Sequence, residues 1–208
     1  MKKLSFFFML LGALLIAMPV SAGKFNAKKA AKAKAKDLKK KKYEIFGSSL
    51  TLEMAIQQHF EQQYEGGRKR IEKFGTAQST SKSIAQQKAF ANAAHNYAQE
   101  CYANISSVMK NTVNSNVLNQ MADEMEKFEA MFVGEVEKEI AGEMTNTYNV
   151  IRTVDVQTTS GMKKGFEVER YYIIDAERAR LIQERALKNA AGDGPLKESI
   201  SSIANYIE

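Results

Sequence analysis

The sequence predicts an α+β domain, a small antiparallel sheet with long helices packed on one face. Three observations predict it. Apolar residues recur every three or four positions through two long stretches in the middle of the chain. A Thr-, Val-, Ile- and Tyr-rich segment and an alternating segment follow, parted by a Gly-bounded turn. The resulting order of strand, helix, strand, helix, helix, strand, strand, helix lacks the regular alternation of a parallel βαβ sheet.

The ends of the 208-residue chain read differently from its body. Lys2 and Lys3 precede an apolar run over residues 4–18, and Pro19, Val20, Ser21 and Ala22 follow, which is the layout of a secretory signal peptide. Residues 1–22 are therefore expected to be removed on export. Residues 23–42 hold ten lysines against Asp37, with Phe25 and Leu38 the only large apolar side chains. Such low complexity and unbalanced charge predict a disordered tether, with an induced helix open to it because Ala and Lys favour helices. Residues 43–208 are then a single domain. The formal net charge of +6 resolves into +2 for the signal and +9 for the lysine tract, leaving −5 on the domain. That balance excludes a uniformly basic nucleic-acid-binding domain, and one Cys and two His exclude a disulfide scaffold or a zinc module.

Within the domain, residues 43–46 are strand-like and end at Gly47. Leu52, Ile56, His59, Phe60 and Gln63 mark one helical face, stopped by Gly66 and Gly67. Residues 68–77 read as a strand containing Gly75. Ser83 and Gln86 have the spacing of a capping box. After them Ala85, Ala89, Ala93, Tyr97, Cys101, Ile105 and Val108 form one buried stripe whose alanines let another element approach closely. A polar break at residues 111–116 leads to a second long helix over residues 117–141, with Leu118, Met121, Met125, Phe128, Phe132, Val136 and Ile140 inward. Gly142 closes it. Strands at residues 145–159 and 166–174 flank a turn at 160–165 and form a hairpin. Asp175 caps a third helix with Ala179, Ile182, Ala186 and Leu187 inward, ending at Gly192. Ile200, Ile203 and Ile207 suggest a short terminal helix.

Phe74-Gly75-Thr76-Ala77-Gln78-Ser79, the alanine-spaced helix after it, and a hairpin whose last strand reads Phe166-Glu167-Val168-Glu169-Arg170-Tyr171-Tyr172 together resemble the Lpp-twenty-like envelope lipoprotein family. The resemblance covers residues 70–190. It implies a periplasmic or outer-membrane-associated α+β protein without an established enzymatic activity. Many relatives in that family carry a lipid-acceptor Cys, and none stands near the expected new N-terminus, so the lysine tract becomes the candidate substitute anchor.

The sequence holds no recognisable catalytic, cofactor-binding or metal-binding constellation. Glycines at 66–67, 161–165 and 192–194 lack the Lys-Ser/Thr arrangement of a phosphate-binding loop. His59 and His95 fall on separate helices, and His95 and Cys101 lie about 240° apart around one helix, which excludes a dyad. Arg152, Asp155, Glu167, Glu169 and Arg170 are read as exposed cross-strand ion pairs. The expectation is a non-catalytic, exported cell-envelope protein acting as a binding or structural module, with another envelope protein or a second copy as partner. The alternative is a peripheral binder of anionic lipid, polysaccharide or nucleic acid, with a ligand cleft in the domain and no sequence-specific nucleic-acid recognition. Its contact residues would be Lys28, Lys29, Lys32, Lys34, Lys36, Lys39, Lys40, Lys41 and Lys42.

Overall fold

A computed structural model describes residues 25–64, 69–112 and 121–192. The expected signal, Gly66 and Gly67, the start of the second long helix with Leu118, and the terminal helix of Ile200, Ile203 and Ile207 lie outside the described residues. The elements are α1 (Ala27–Lys40), β1 (Glu44–Ile45), α2 (Leu52–Tyr64), β2 (Arg70–Ser79), α3 (Lys82–Thr112), α4 (Ala122–Glu143), β3 (Thr145–Thr158), β4 (Gly161–Asp175) and α5 (Ala176–Ala191). All strand pairs are antiparallel, in the order β1-β3-β4-β2. The α+β class is as the sequence predicts.

The expected helical stripes are buried. Ala85, Ala89, Ala93, Tyr97, Cys101 and Ile105 of α3 lie inward, with Met109 rather than Val108 filling the last position. Phe128, Phe132, Val136 and Ile140 of α4 and Ala179, Ile182, Ala186 and Leu187 of α5 complete this core. Small residues set how α3 meets the sheet. A Cβ built on Gly75 would lie 1.9 Å from the Ala89 carbonyl oxygen, so only glycine lets β2 pass under this helix.

The hairpin departs from its sequence pattern in two places. The hairpin turn is the two residues 159–160, and β4 begins at Gly161, in the left-handed region with φ of 103°. Gly165, read as part of the turn, is paired with Val154 inside β4. A Cβ there would meet the Ser79 carbonyl oxygen at 2.7 Å, so this glycine marks a close approach of β2.

The larger difference is that helices cover both faces of the sheet. Strand alternation puts Val168, Tyr172 and Ile174 on the face that packs against α3, with α4 and α5 stacked beyond it. Tyr171 faces the other way, with Tyr148 and Val150 beside it, and there it meets Leu52, Ala55 and Ile56 of α2 and Ala31, Ala35 and Leu38 of α1. The lysine tract expected to be disordered is thus largely a 14-residue helix bound to the domain. Its alanines supply little apolar area, yet they allow α1 to lie close along α2, and Leu38 adds a large side chain at one end.

Candidate anionic-surface site

Local sequence accounts for α1. The Asn26 side chain caps it by accepting from the Lys29 N–H at 2.9 Å. Ala and Lys propagate it, and Lys39 and Lys40 in the last turn suit the negative end of the helix dipole. The chain then turns through Lys42, in the left-handed region at φ of 63°. The Tyr43 N–H reaches the Leu38 carbonyl at 2.9 Å and the Lys42 N–H reaches that of Lys39 at 3.0 Å. These bonds are a Schellman closure, accompanied by burial of Leu38 and Tyr43 in one cluster.

Acidic residues of the sheet hold this helix near its middle and just past its C-terminal end. Near its middle, the Lys34 ammonium donates to Glu72 of β2 at 2.6 Å and sits 4.3 Å from the centre of the Tyr171 ring. Just past its end, the Tyr43 hydroxyl donates to Glu167, a carboxylate only 6% exposed. Gln78 and Arg152 donate to the same carboxylate, and Arg152 also reaches the Lys41 carbonyl at 3.3 Å. Burial pushes the Tyr43 hydroxyl far above its ordinary range, and the neighbouring Glu167 and Glu169 carboxylates add to the effect. Glu167 is itself held below the usual carboxylate range, because the Tyr43, Gln78 and Arg152 donors outweigh its burial.

Glu72 has a second partner. His59 of α2 is fully buried, and its Nε2 lies 3.5 Å from Glu72 Oε2. Its Nδ1 is 2.7 Å from the Thr147 hydroxyl, which lies 3.0 Å from the Tyr171 carbonyl. Thr147 sits at a register shift between β3 and β4, and this bulge aims the hydroxyl at the histidine. Burial alone would raise the Glu72 pKa, but the imidazole of His59 and the ammonium of Lys34 override it and hold the carboxyl at about 2.

Of the nine lysines predicted to meet an anionic surface, the structure removes one. Lys34 points at the sheet, because position 34 shares the inward face with Ala31, Ala35 and Leu38. Lys41 is exposed and pairs with Asp37 at 2.8 Å. Lys28, Lys29, Lys32, Lys36, Lys39 and Lys40 are exposed on α1, and Lys42 is exposed just after it. At about 100° per residue those six helical positions span an arc of roughly 120°, so they form one stripe. Lys39 and Lys42 also line an open groove of about 560 Å³ with Tyr43, Ile45 and Leu52.

The other residues weighed for chemistry are dispersed. His95 pairs with Glu137 of α4 at 3.0 Å, while Cys101 is buried on the inward side of the same helix. Burial pushes the Cys101 thiol up to about 11. Among the described residues no three His, Cys, Asp or Glu side chains are grouped to hold a metal ion. No helix among them is long and apolar enough to cross a membrane. Of the strand residues expected in exposed ion pairs, Arg152 and Glu167 pair at 2.6 Å but are mostly buried, and Asp155 pairs in solvent at 2.8 Å with Lys164, a residue read as part of the turn. Glu169 instead accepts from the Tyr171 hydroxyl and Arg170 donates to Asn149.

Glu72, Thr147, Tyr171 and Tyr43 stand in no motif that marks them as site residues in the sequence. The usable signal was the i, i+4, i+7 spacing of Ala31, Ala35 and Leu38, which gives the tract an inward face containing Lys34. Comparison with family models, curated proteins and solved structures finds no match to this chain.

Proposed function

We propose that this is an exported, non-catalytic cell-envelope protein, a binding module whose contact element is the outward lysine stripe of α1 and whose partner is an extended anionic surface. The observation that carries the reading is six exposed lysines on one side of a helix whose other side is anchored to the domain. Each lysine near an anionic bilayer contributes on the order of 1 kcal/mol, and similar Coulomb attraction operates at an acidic polymer. A docked helix already holds these charges in one array, so less chain entropy is lost on binding than for a free tether.

Charge distribution supplies the orientation. Residues 43–208 sum to −5 while residues 23–42 sum to +9. An anionic surface therefore repels the domain and attracts α1, turning the stripe toward it. Export rests on the signal-like layout of residues 1–22 and on the envelope-family resemblance.

The test is retention on immobilised polyphosphate and co-sedimentation with anionic vesicles, each over a salt series. A variant carrying Lys28→Gln, Lys32→Gln, Lys36→Gln, Lys39→Gln and Lys40→Gln is compared with the parent. The parent should bind at low salt and release as salt rises, and the variant should bind neither while keeping its fold by circular dichroism. Equal binding by parent and variant would remove α1 as the contact element.

A further inference from the structure

We propose that the anionic surface is a phospholipid bilayer and that Phe25 and Tyr64 enter it beside the lysines. This rests on the reading of α1 above and names its partner. Phe25 is 42% exposed and Tyr64 56% exposed, and their ring centroids are 4.2 Å apart. Phe25 also meets Phe60 edge-on at 5.6 Å. The three rings border an open groove of about 610 Å³ between the start of α1 and the end of α2.

Its position ties this cluster to the lysines. Phe25 immediately precedes the Asn26 cap, so Lys28 and Lys29 lie in the first turn beyond it and Lys32 about one turn further. A soluble polyanion offers charge but no apolar layer. A bilayer offers both, with phosphates above the acyl boundary, and aromatic rings sit at that level. Stacked nucleobases would need free ring faces, and here Phe25 and Tyr64 lie against one another at an angle of 37°. Glu61 lines the same groove, and its carboxylate disfavours phosphate there, so in this proposal phosphates meet the stripe and only the exposed rings meet acyl chain.

The chain has no tryptophan, so one introduced indole reports without background. Tyr64→Trp places it on the cluster. Leu181→Trp places it on α5, packed beyond the opposite face of the sheet, where residue 181 is 44% exposed. Protein recovered from expressing cells is mixed with vesicles of equal parts phosphatidylglycerol and phosphatidylcholine, with phosphatidylcholine alone, with polyphosphate, and with single-stranded DNA. The expected result is a blue shift of Tyr64→Trp emission, and its quenching by brominated acyl chains, with the anionic vesicles only. Leu181→Trp should not shift. Phe25→Ala should weaken vesicle binding on the order of tenfold or more and leave polyphosphate binding unchanged. Vesicle binding without a Tyr64→Trp shift overturns ring entry and leaves the lysine stripe standing. An equal shift with phosphatidylcholine alone overturns the coupling of rings to charge. Binding to polyphosphate or DNA but not to vesicles overturns the bilayer as partner. Binding to none of the four overturns the reading of α1 as well.

Discussion

The Lys34 ammonium of α1 lies 2.6 Å from the Glu72 carboxylate of β2, across 38 positions of sequence. This contact joins the lysine-rich segment to the sheet and separates Lys34 from its neighbours in role. Lys34→Met should lower stability by about 1–3 kcal/mol in urea unfolding, because it leaves a largely buried carboxylate short of a donor. Lys36→Met, on the exposed side of the same helix, should change it by less than about 0.5 kcal/mol. Equal effects would mean that α1 is not held through Lys34.

Acid should act through Glu72. Its pKa in the folded protein is about 2 against an ordinary value of 4.5. The stabilisation it gives is therefore fully present above pH 4.5 and is lost as pH falls toward 2. The full difference corresponds to at most roughly 3 kcal/mol. Glu72→Gln should be less stable than the parent at pH 7, with the gap closing across this window. Unfolding curves at pH 7, 4 and 2.5 check it; a gap that does not change with pH would show that Glu72 stays out of the linkage.

Two glycines should respond with opposite sign. Gly75→Ala drives a methyl into the Ala89 carbonyl, with the Ala93 nitrogen 2.6 Å away, so backbone must move. A loss of about 3 kcal/mol or more, or failure to fold, is expected. Gly134 in α4 is exposed with no atom within 4 Å of a built Cβ. Gly134→Ala should stabilise by roughly 0.5–1 kcal/mol through helix propensity. Denaturant midpoints of the two variants decide the matter, and a harmless Gly75→Ala would contradict the α3–β2 packing.

The Cys101 thiol should be inert in the native protein. It is 5% exposed, and burial pushes its pKa up to about 11. Ellman's reagent at pH 8 should label it only after denaturant is added, on the timescale of global opening. Rapid labelling without denaturant would place Cys101 outside the core.

The long helices were legible in the sequence because Ala85 to Ile105 and Phe128 to Ile140 repeat large or close-packing side chains over many turns. The hairpin was legible from its composition, but its turn was not. Gly161 and Gly165 look alike in sequence, yet one supplies a positive φ and the other makes room for the Ser79 carbonyl, and only tertiary packing separates those uses. The second helical layer was illegible for a related reason. Ala31 and Ala35 bury so little area that composition assigns them to a solvated tract, and their use shows only once α2 and the sheet are packed against them. His59, legible in the sequence only as one of the residues marking a helical face, is fully buried, and Thr147, the residue that reaches its Nδ1, owes its direction to a bulge that no periodicity encodes.

Amide hydrogen exchange of the free protein, read residue by residue along α1, tests most directly whether the lysines form a docked face or a loose tether. The N–H groups of Ala31, Ala35 and Leu38 should exchange on the order of a hundredfold or more below random-coil rates, and Lys34→Met should speed them. Exchange at random-coil rates in the parent would contradict the docked helix, and with it the lysine face.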